Sequence, residues 1–314
     1  MGSIPRSQKA SRATTHEIQV ATPYRLDLTV SALRRMATNP VDVYTSDGRY
    51  LRALGGFAEP VIVSVTQPRA DALAVSVGGS AGDTKRVLAS VCRMLGTDRD
   101  LSDFHRNARS IPWLAPLARR MRGLKPPRYP SLFEACANTI AFQQVSLHAA
   151  SAIMRRLILV LGTKVECGGV PVAVFPSVER FLGADDAVIR AAGLSAGKLA
   201  TLRRAGEAIV TGRISEALLE ERPSADAALV LRGIKGIGPW TAAVILLRGL
   251  GRLDMFPGND SSVAANLALV AGKRVDSGPL VATLGSQRGM LYFCLLLARL
   301  EARGEIGRAS DVAR

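Results

Sequence analysis

The sequence predicts a mainly α-helical protein of more than one domain, with a small antiparallel α+β domain at its N-terminal end. Three observations predict this fold class. Residues 17–79 carry short runs of β-favouring residues, which turn signals such as SDGR and QPRAD separate. After Gly82, almost all of the apolar residues recur at helical spacing. The 314 residues, 48% of them hydrophobic, are enough for two or three domains with cores of their own.

The N-terminal domain is predicted to follow an irregular arm. Residues 1–17 are small, polar and basic, and because they lack apolar periodicity we expect a disordered arm there. Residues 18–82 then form the predicted antiparallel sheet, interrupted by one helix over residues 29–37. An apolar stripe over residues 83–95 predicts a helix that links this domain to the rest of the chain.

The remaining chain is predicted to be helical. Residues 132–252 are the predicted central domain, and residues 253–303 a further helical region that ends in one apolar helix over 280–303, before a tail over 304–314. Glycine, proline or serine separates several of the shorter helices from their neighbours. The other predicted helices cover 111–121, 131–161 as one long or two shorter helices, 178–182, 185–192, 196–211 and 224–232.

Charge and cysteine content limit the functional classes. The 41 basic against 26 acidic residues give a net charge of +15, which favours a polyanionic partner unless the whole proteome is rich in arginine. The four cysteines lie far apart and the three histidines are scattered, so the sequence predicts no zinc, iron–sulfur or other metal site. It also carries no long apolar run and no signal peptide, so we expect a soluble protein that is not exported.

One segment combines two helical runs with a tight glycine turn. In LVLRGIKGIGPWTAAVILLRG, residues 229–249, Gly236-Ile237-Gly238 joins the runs and Pro239 opens the second helix, where its missing N–H costs nothing. Glycine lets the backbone approach a ligand closely, and the helix directs unpaired N–H groups and a positive dipole end towards it. An ordinary helical hairpin would use glycine in the same way, but the complete G-x-G-P-W-T-A string favours phosphate binding.

Asp260 is the candidate catalytic group. It lies twenty positions after Trp240 in FPGNDSSVAANL, between a Pro-Gly turn and a helix that is predicted to begin near Ser261. An aspartate at this position is also a good helix N-cap, and caps are far more common than catalytic carboxylates. Its closeness in sequence to the hairpin favours catalysis, because the carboxylate would then stand beside a bound backbone phosphate.

These motifs resemble the helix-hairpin-helix DNA glycosylase superfamily. The pattern L-x-G-I-G-P-W-T-A followed by P-x-x-D is similar to that of the superfamily, and FEACANTIAFQQVSLHAA and the region from FPSVERFLG to RRAGEAIV are similar to its 3-methyladenine DNA glycosylase II branch. The resemblance covers nearly all of the chain after the arm. It implies a helix-hairpin-helix DNA glycosylase fold around a cleft, with part of 83–131 joining 253–303 in a third domain.

The resemblance also implies site residues. Asp260 would be catalytic, and Gln143 and Gln144 would wedge into the minor groove, although a glutamine pair at a helix end can instead be a polar cap. Two further sets are implied: a phosphate-binding hairpin of Lys235, Gly236, Ile237, Gly238, Trp240 and Thr241, and a base pocket of Trp240, Val244, Leu296 and Ala32. With Trp240 as its main ring this pocket would be largely aliphatic, whereas relatives that bind cationic purines often line it with aromatic residues.

The function implied is a monofunctional DNA glycosylase, because Trp240 stands where strand-nicking relatives carry a Schiff-base lysine. It would flip alkylated purines of the 3-methyladenine or 7-methylguanine type out of double-stranded DNA and hydrolyse their N-glycosidic bonds. No metal or cofactor is implied, except a monovalent cation at the hairpin, and no membrane partner. We expect a monomer in the cell's DNA compartment, cytoplasmic and nucleoid-associated if the source is bacterial.

Three alternatives stay open at this point. The first is a non-catalytic protein that kept the hairpin and the basic surface. The second is a glycosylase/lyase for oxidised bases such as 8-oxoguanine, and the third is a glycosylase for other lesions, for example deaminated or etheno bases. An aspartate at position 260 counts against the first, and a tryptophan at position 240 counts against the second.

Overall fold

The computed structural model describes residues 13–78, 83–258 and 261–307, apart from the side chains of Ser261 and Ser262. The candidate catalytic residue Asp260 lies outside the described residues. The strands are β1 (Thr14–Gln19), β2 (Val43–Tyr44), β3 (Tyr50–Leu54), β4 (Val61–Arg69), β5 (Ala72–Gly78), β6 (Thr163–Cys167) and β7 (Val170–Val174).

Helices make up most of the described chain after β5. They are α1 (Leu26–Arg34), α2 (Thr84–Leu95), α3 (Ser102–Ala108), α4 (Leu114–Arg120), α5 (Leu132–Ala141), α6 (Leu147–Leu161), α7 (Val178–Leu182), α8 (Asp186–Ala191), α9 (Ala196–Val210), α10 (Glu216–Glu220), α11 (Ser224–Arg232), α12 (Pro239–Ile245), α13 (Ser261–Ala271), α14 (Ser277–Leu284) and α15 (Met290–Ala302).

The strands form one mixed sheet. Its order is β1-β5-β4-β3-β7-β6, with β2 paired to β3. All pairs are antiparallel except β3 and β7, which run parallel and meet at Ala53 and Val174. The strand pairs within the N-terminal domain are thus antiparallel, as predicted, and the parallel pair joins this domain to β7 of the following region. The expected arm ends earlier, because residues 14–17 pair with β5 as part of β1.

The hairpin of β6 and β7 lies inside the region that was predicted to be helical. The signal for it was present in the sequence, since TKVEC and VPVAV flank Gly168-Gly169, and both glycines have positive φ angles. Val172 and Val174 pack with Leu51 and Ala53 in a small apolar cluster. This hairpin joins the central helical region to the N-terminal sheet.

Two predicted helices differ from those observed. The helix expected over 29–37 begins at Leu26 and ends at Arg34, because Arg35 has a φ angle of +62° and leaves the helical conformation. The helix expected over 280–303 is two helices, α14 and α15, bent by 113°. At the break, the Gly289 N–H donates to the Leu253 carbonyl oxygen at 2.7 Å, and a Cβ at Gly289 would lie 2.9 Å from that oxygen.

Two main apolar cores position the candidate site. The first joins the sheet, α2 and the central helices from α5 to α12. The second joins the inner face of α1, α3 and α4 to α13, α14 and α15, and Phe104, Leu284 and Phe293 are fully buried in it. In the described part of the chain no single helix is long and apolar enough to cross a membrane. The helices over 277–287 and 290–302 reach the necessary length and apolar composition only when they are taken together, and a bend separates them.

A buried ion cluster ties the sheet to α5. Arg52 of β3 donates to Asp42 at 2.5 Å and to Glu134 of α5 at 2.6 Å, and the Tyr50 hydroxyl donates to Asp42 at 2.8 Å. The three charged side chains are almost completely buried. Burial raises the pKa of Glu134 from 4.5 to about 7, while Arg52 works in the opposite direction. The cluster fixes the N-terminal end of α5, which leads to the loop with Gln143 and Gln144.

Candidate nucleic-acid interface

The glycine turn adopts a helix-hairpin-helix geometry that only glycine permits at one position. Helices α11 and α12 flank the turn, and Gly236 has a φ angle of +100°. A Cβ at Gly236 would lie 2.1 Å from the hydroxyl oxygen of Thr201 on α9, so no side chain fits there. The turn is thereby packed directly against α9.

Gly238 faces open space and caps α12. Its backbone is extended, with φ −87° and ψ 179°, and Pro239 occupies the first position of the helix. A Cβ at Gly238 would meet no atom within 4 Å. The first amides of α12 therefore border an open approach, and Lys235 lies exposed three residues before Gly238. An anion could approach the helix end at this point.

The loop between α5 and α6 lies against the hairpin. The Gln143 amide nitrogen donates to the Gly236 carbonyl oxygen at 3.2 Å and to the Thr241 hydroxyl at 2.8 Å. Gln144 is exposed, with a φ angle of +52°, and its neighbour Val145 is 40% exposed. The two glutamines therefore differ: Gln143 connects the loop to the hairpin, and Gln144 projects into solvent.

A π-helical turn, Leu246–Leu250, follows α12 and anchors it. Arg248 is fully buried in this turn and donates to the carbonyl oxygens of Ala32 and Leu33. Its guanidinium also lies 4.7 Å from the centre of the Tyr129 ring. These contacts connect the hairpin to the C-terminal end of α1.

The chain that leads towards position 260 is held in place as far as Gly258. Arg252 donates to the carbonyl oxygens of Leu219, Glu220 and Arg222, which cluster at the end of α10. Asp254 accepts a hydrogen bond from Ser224, the first residue of α11. The loop before position 260 is thus tied to the first hairpin helix.

A cavity of about 120 Å³ lies between the hairpin, the α5–α6 loop, α13 and α15. It is smaller than the clefts of ~300–1,000 Å³ that hold drug-sized ligands, which suits a ligand of the size of one base. Its lining combines three aromatic rings, two arginines and several aliphatic groups. The lining residues are Arg35, Phe142, Val145, Leu147, Trp240, Val263, Asn266, Tyr292, Leu295, Leu296 and Arg299.

Only part of the expected pocket lines this cavity. Trp240 and Leu296 do, whereas Ala32 and Val244 are fully buried and do not. Ala32 belongs to the core formed by α1 and the C-terminal helices, and Val244 lies within the buried stretch of α12. Phe142 and Tyr292 add two rings to Trp240, so this cavity is more aromatic than the pocket expected from the sequence. Phe142 directly precedes Gln143 in sequence, which was the available signal for it.

Arg35 is the least expected residue of the cavity. Its guanidinium carbon lies 4.0 Å from the centre of the Phe142 ring, and its Nη2 donates to the Tyr292 hydroxyl oxygen at 3.3 Å. Although burial works to raise it, Arg35 and Arg248 hold the pKa of Tyr292 below its usual value. No local pattern in the sequence indicates that an arginine after α1 lines this cavity.

Within the described residues, no group of three or more histidine, cysteine or acidic side chains could hold a metal ion. The four cysteines are free thiols, and burial raises the pKa of both Cys136 and Cys294 to about 12. The described side chains that line the cavity include hydrogen-bond donors, aromatic rings and guanidinium groups.

Curated proteins resemble the chain over part of its length. A DNA-3-methyladenine glycosylase of Bacillus subtilis is 28% identical over 173 residues, which are 55% of this chain and 57% of that protein. The chain spans about half the length of the curated relatives it matches. No protein-family model matches the chain.

Solved structures share the fold over nearly the whole chain. A 3-methyladenine DNA-glycosylase from Archaeoglobus fulgidus superposes with a TM-score of 0.77 at 23% sequence identity, covering 92% of this chain and 98% of that one. An 8-oxoguanine glycosylase/lyase from Clostridium acetobutylicum, in complex with DNA, gives a TM-score of 0.71 at 15% identity, covering 95% of this chain and 100% of that one. At these identities the likeness establishes a shared fold.

Proposed function

We propose that the chain belongs to the helix-hairpin-helix DNA glycosylase superfamily, in its 3-methyladenine DNA glycosylase II branch, and that it is a monofunctional DNA glycosylase for alkylated purines. It flips the damaged base out of the duplex, hydrolyses the N-glycosidic bond and leaves an abasic site for base excision repair. The substrates are bases of the 3-methyladenine and 7-methylguanine type in double-stranded DNA. The relationship to named 3-methyladenine glycosylases supports this choice of substrate.

The observation that carries the proposal is that Trp240 belongs to the hairpin and to the cavity at once. The open end of α12 at Gly238 is suited to a backbone phosphate, and Trp240 lies two residues further along the chain. A nucleotide held by its phosphate at Gly238 would therefore have its base within reach of the cavity. Lys235, exposed beside the turn, adds positive charge to this phosphate site.

Gln144 is the proposed wedge, and Gln143 positions it. Base extrusion leaves a gap in the stack, which an exposed side chain next to the cavity can fill. Gln144 is exposed, whereas the hydrogen bonds from Gln143 to Gly236 and Thr241 hold the loop against the hairpin. A wedge attached in this way moves with the phosphate site as one unit.

Asp260 is the proposed catalytic carboxylate. Loss of the base gives the sugar oxocarbenium character, which a nearby carboxylate stabilises while it activates the attacking water. Two described neighbours in sequence support the assignment: Ser224 anchors the preceding loop at Asp254, and Val263 in the first turn of α13 lines the cavity. We propose no metal and no cofactor in this step; a monovalent cation at the hairpin would act on phosphate binding only.

Single-turnover base release tests the catalytic assignment. The substrates are methylated duplex DNA and duplexes with one ethenoadenine, hypoxanthine, 8-oxoguanine or uracil, and the enzymes are the wild type, Asp260→Asn and Asp276→Asn. Asp276 caps α14 by accepting from the Gly278 N–H, and asparagine caps a helix about as well as aspartate, so its variant controls for the loss of a carboxylate at a helix start. We expect a loss of at least about a hundredfold with Asp260→Asn and near wild-type rates with Asp276→Asn.

Two results would contradict the proposal. If the wild type binds duplex DNA but releases no base from any substrate, the protein is a non-catalytic DNA-binding protein. If Asp260→Asn releases bases at the wild-type rate, another group performs the chemistry.

A glycosylase/lyase for oxidised bases is the second candidate, because the Clostridium acetobutylicum enzyme shares the fold. A lyase needs an amine that forms a Schiff base with the sugar, and Trp240 cannot supply one. We expect strand breaks only after alkali treatment and no covalent adduct when borohydride is added during turnover. A borohydride-trapped protein–DNA adduct would favour the second candidate.

The proposed partner is damaged double-stranded DNA, bound by a monomer. One subunit contains the hairpin, the wedge loop and the cavity, so base flipping needs no second copy. DNA repair also implies that the protein works where the cell's DNA is, which in a bacterium is the nucleoid. Analytical ultracentrifugation with and without duplex DNA would measure the proposed one-to-one stoichiometry.

A further inference from the structure

Three residues that line the cavity carry hydrogen-bond donors that lack acceptors among the described residues. Both Arg35 Nη1 and Trp240 Nε1 are buried without a partner. The Tyr292 hydroxyl oxygen accepts from Arg35, and no described group accepts its proton. A buried donor without an acceptor costs stability, typically about 1–3 kcal/mol, unless a ligand or water satisfies it. The cavity is therefore suited to a ligand that brings acceptors.

The positive charge of Arg35 also favours a neutral ligand over a cationic one. Arg35 is 5% exposed and forms no ion pair with the carboxylates of the described chain. A positively charged base entering the cavity would meet this guanidinium in a medium of low polarity, where like charges repel strongly. The Phe142 ring could have attracted a cationic base through its face, but the Arg35 guanidinium already lies over it at 4.0 Å.

We infer that the Arg35–Tyr292 pair makes the cavity selective for neutral damaged purines that present hydrogen-bond acceptors, over cationic N-methylpurines. Deaminated and etheno-bridged purines belong to the favoured class, since their ring nitrogens or carbonyl oxygens can accept from Arg35, Trp240 and Tyr292. The inference rests on the proposed glycosylase function and widens its substrates: cationic alkylated purines are still released, and neutral damaged purines are released in preference to them. Arg35 and Tyr292 are specificity-determining residues in this view.

The charge on the departing base explains how the Arg35–Tyr292 pair can affect the rate of base release. When the bond between the sugar carbon and the purine nitrogen breaks, the electron pair goes to the base. A cationic base leaves as a neutral molecule, whereas a neutral base leaves with negative charge that needs stabilisation. Donors aimed at that charge act in the transition state. Cationic bases are consequently still released, but Arg35 and Tyr292 accelerate only the neutral class.

The test measures a ratio of single-turnover rates within one protein preparation. Hypoxanthine or ethenoadenine duplexes represent the neutral class, and 7-methylguanine duplexes represent the cationic class. The ratio of the two rates does not depend on how much of a variant is folded. The variants are Arg35→Met, which removes the charge, Tyr292→Phe, which removes the hydroxyl, and Arg34→Met as the matched control. Arg34 neighbours Arg35 but contacts Tyr44 and does not line the cavity.

We expect Arg35→Met to lower the ratio of the neutral-class rate to the cationic-class rate roughly tenfold to a hundredfold. This is the rate factor that corresponds to the loss of one hydrogen bond to a charged group. Tyr292→Phe should lower it about threefold to tenfold, and Arg34→Met should leave it unchanged. An active wild type with the same ratio in all variants would overturn the inference while the proposed function stands. A wild type that releases neither class would refute the proposed function, and the inference with it.

Discussion

At the scale of single residues, backbone strain marks the site. Among the described residues, the only non-glycine residues with positive φ are Arg35 and Gln144. Arg35 lines the cavity, and Gln144 precedes Val145, which also lines it. Left-handed conformations cost a non-glycine residue ~1–2 kcal/mol, so they persist where the surroundings impose them. The sequence carries no local signal for either angle.

Replacing Gln144 by glycine should separate stability from activity. Glycine relieves the positive φ angle, so we expect the free energy of unfolding to stay the same or to rise by up to ~1 kcal/mol. The proposed wedge is lost, so base release from duplex DNA should fall about tenfold or more while release from single-stranded DNA falls less. Urea denaturation and single-turnover assays measure the two effects. Equal losses on both DNA forms would argue against a wedge at Gln144.

At the scale of elements, the hairpin is the part that sequence reasoning located best. Its turn, its proline and its second helix are determined by residues within one short segment. The same local logic explains the prediction of α7 and α11 with the observed bounds. Local sequence did not predict the break in the helix over 280–303, because that break depends on a tertiary contact between Gly289 and Leu253. The roles of the hairpin residues stay predictions.

The two turn glycines should respond differently to alanine. Gly236→Ala should destabilise the protein by several kcal/mol, because its Cβ would collide with Thr201 at a positive φ angle. Gly238→Ala should leave the melting temperature nearly unchanged, since its Cβ meets nothing. It should nevertheless weaken duplex DNA binding roughly tenfold by blocking the phosphate. Thermal melts and fluorescence anisotropy decide this; unchanged DNA affinity in Gly238→Ala would place the phosphate elsewhere.

The ion cluster between β3 and α5 predicts a pH dependence. Burial raises the pKa of Glu134 from 4.5, its value in an unfolded chain, to about 7 in the folded protein, so the folded protein binds this proton more tightly. The stability that this difference contributes is fully present below about pH 4.5 and is lost as the pH rises to about 7. We expect its loss to lower the free energy of unfolding by ~1–3 kcal/mol.

The Glu134→Gln variant is the control for that pH dependence. Its neutral amide can still accept from Arg52 but cannot titrate. The free energy of unfolding of the variant should therefore fall less between pH 4.5 and 7 than that of the wild type. Urea denaturation at several pH values, compared with the wild type, measures the difference. Identical slopes in the two proteins would show that Glu134 is ionised throughout this range.

At the scale of the whole molecule, the site exists only where both cores meet. Trp240 extends from a helix of the first core, while Leu296 and Tyr292 come from α15 in the second. Arg35 reaches the same place from the end of α1. The fold predicted by resemblance is confirmed by the structural comparison, and it explains why residues far apart in sequence share one cavity.

The net charge of +15 predicts salt-sensitive DNA binding. Each phosphate neutralised on duplex DNA contributes about −0.9 to the slope of log affinity against log salt concentration. We expect a steep negative slope for the wild type, and a slope smaller by about 1 for Lys235→Ala at the hairpin. Anisotropy titrations at four salt concentrations measure it, with Lys164→Ala on β6 as control. Equal slopes for both variants would exclude a phosphate contact at Lys235.

The sequence by itself determined what depends on neighbouring residues: helical periodicity, the Gly-Pro turn of the hairpin, and the excess of basic side chains. It also named Trp240 and Leu296 for the cavity, and Asp260 stays a prediction. Only the tertiary structure decided that Phe142, Tyr292 and Arg35 complete the cavity, and that β6 and β7 extend the sheet. The physical reason is that these contacts join residues separated by many positions, so burial and packing establish them, whereas local conformational preference establishes the hairpin.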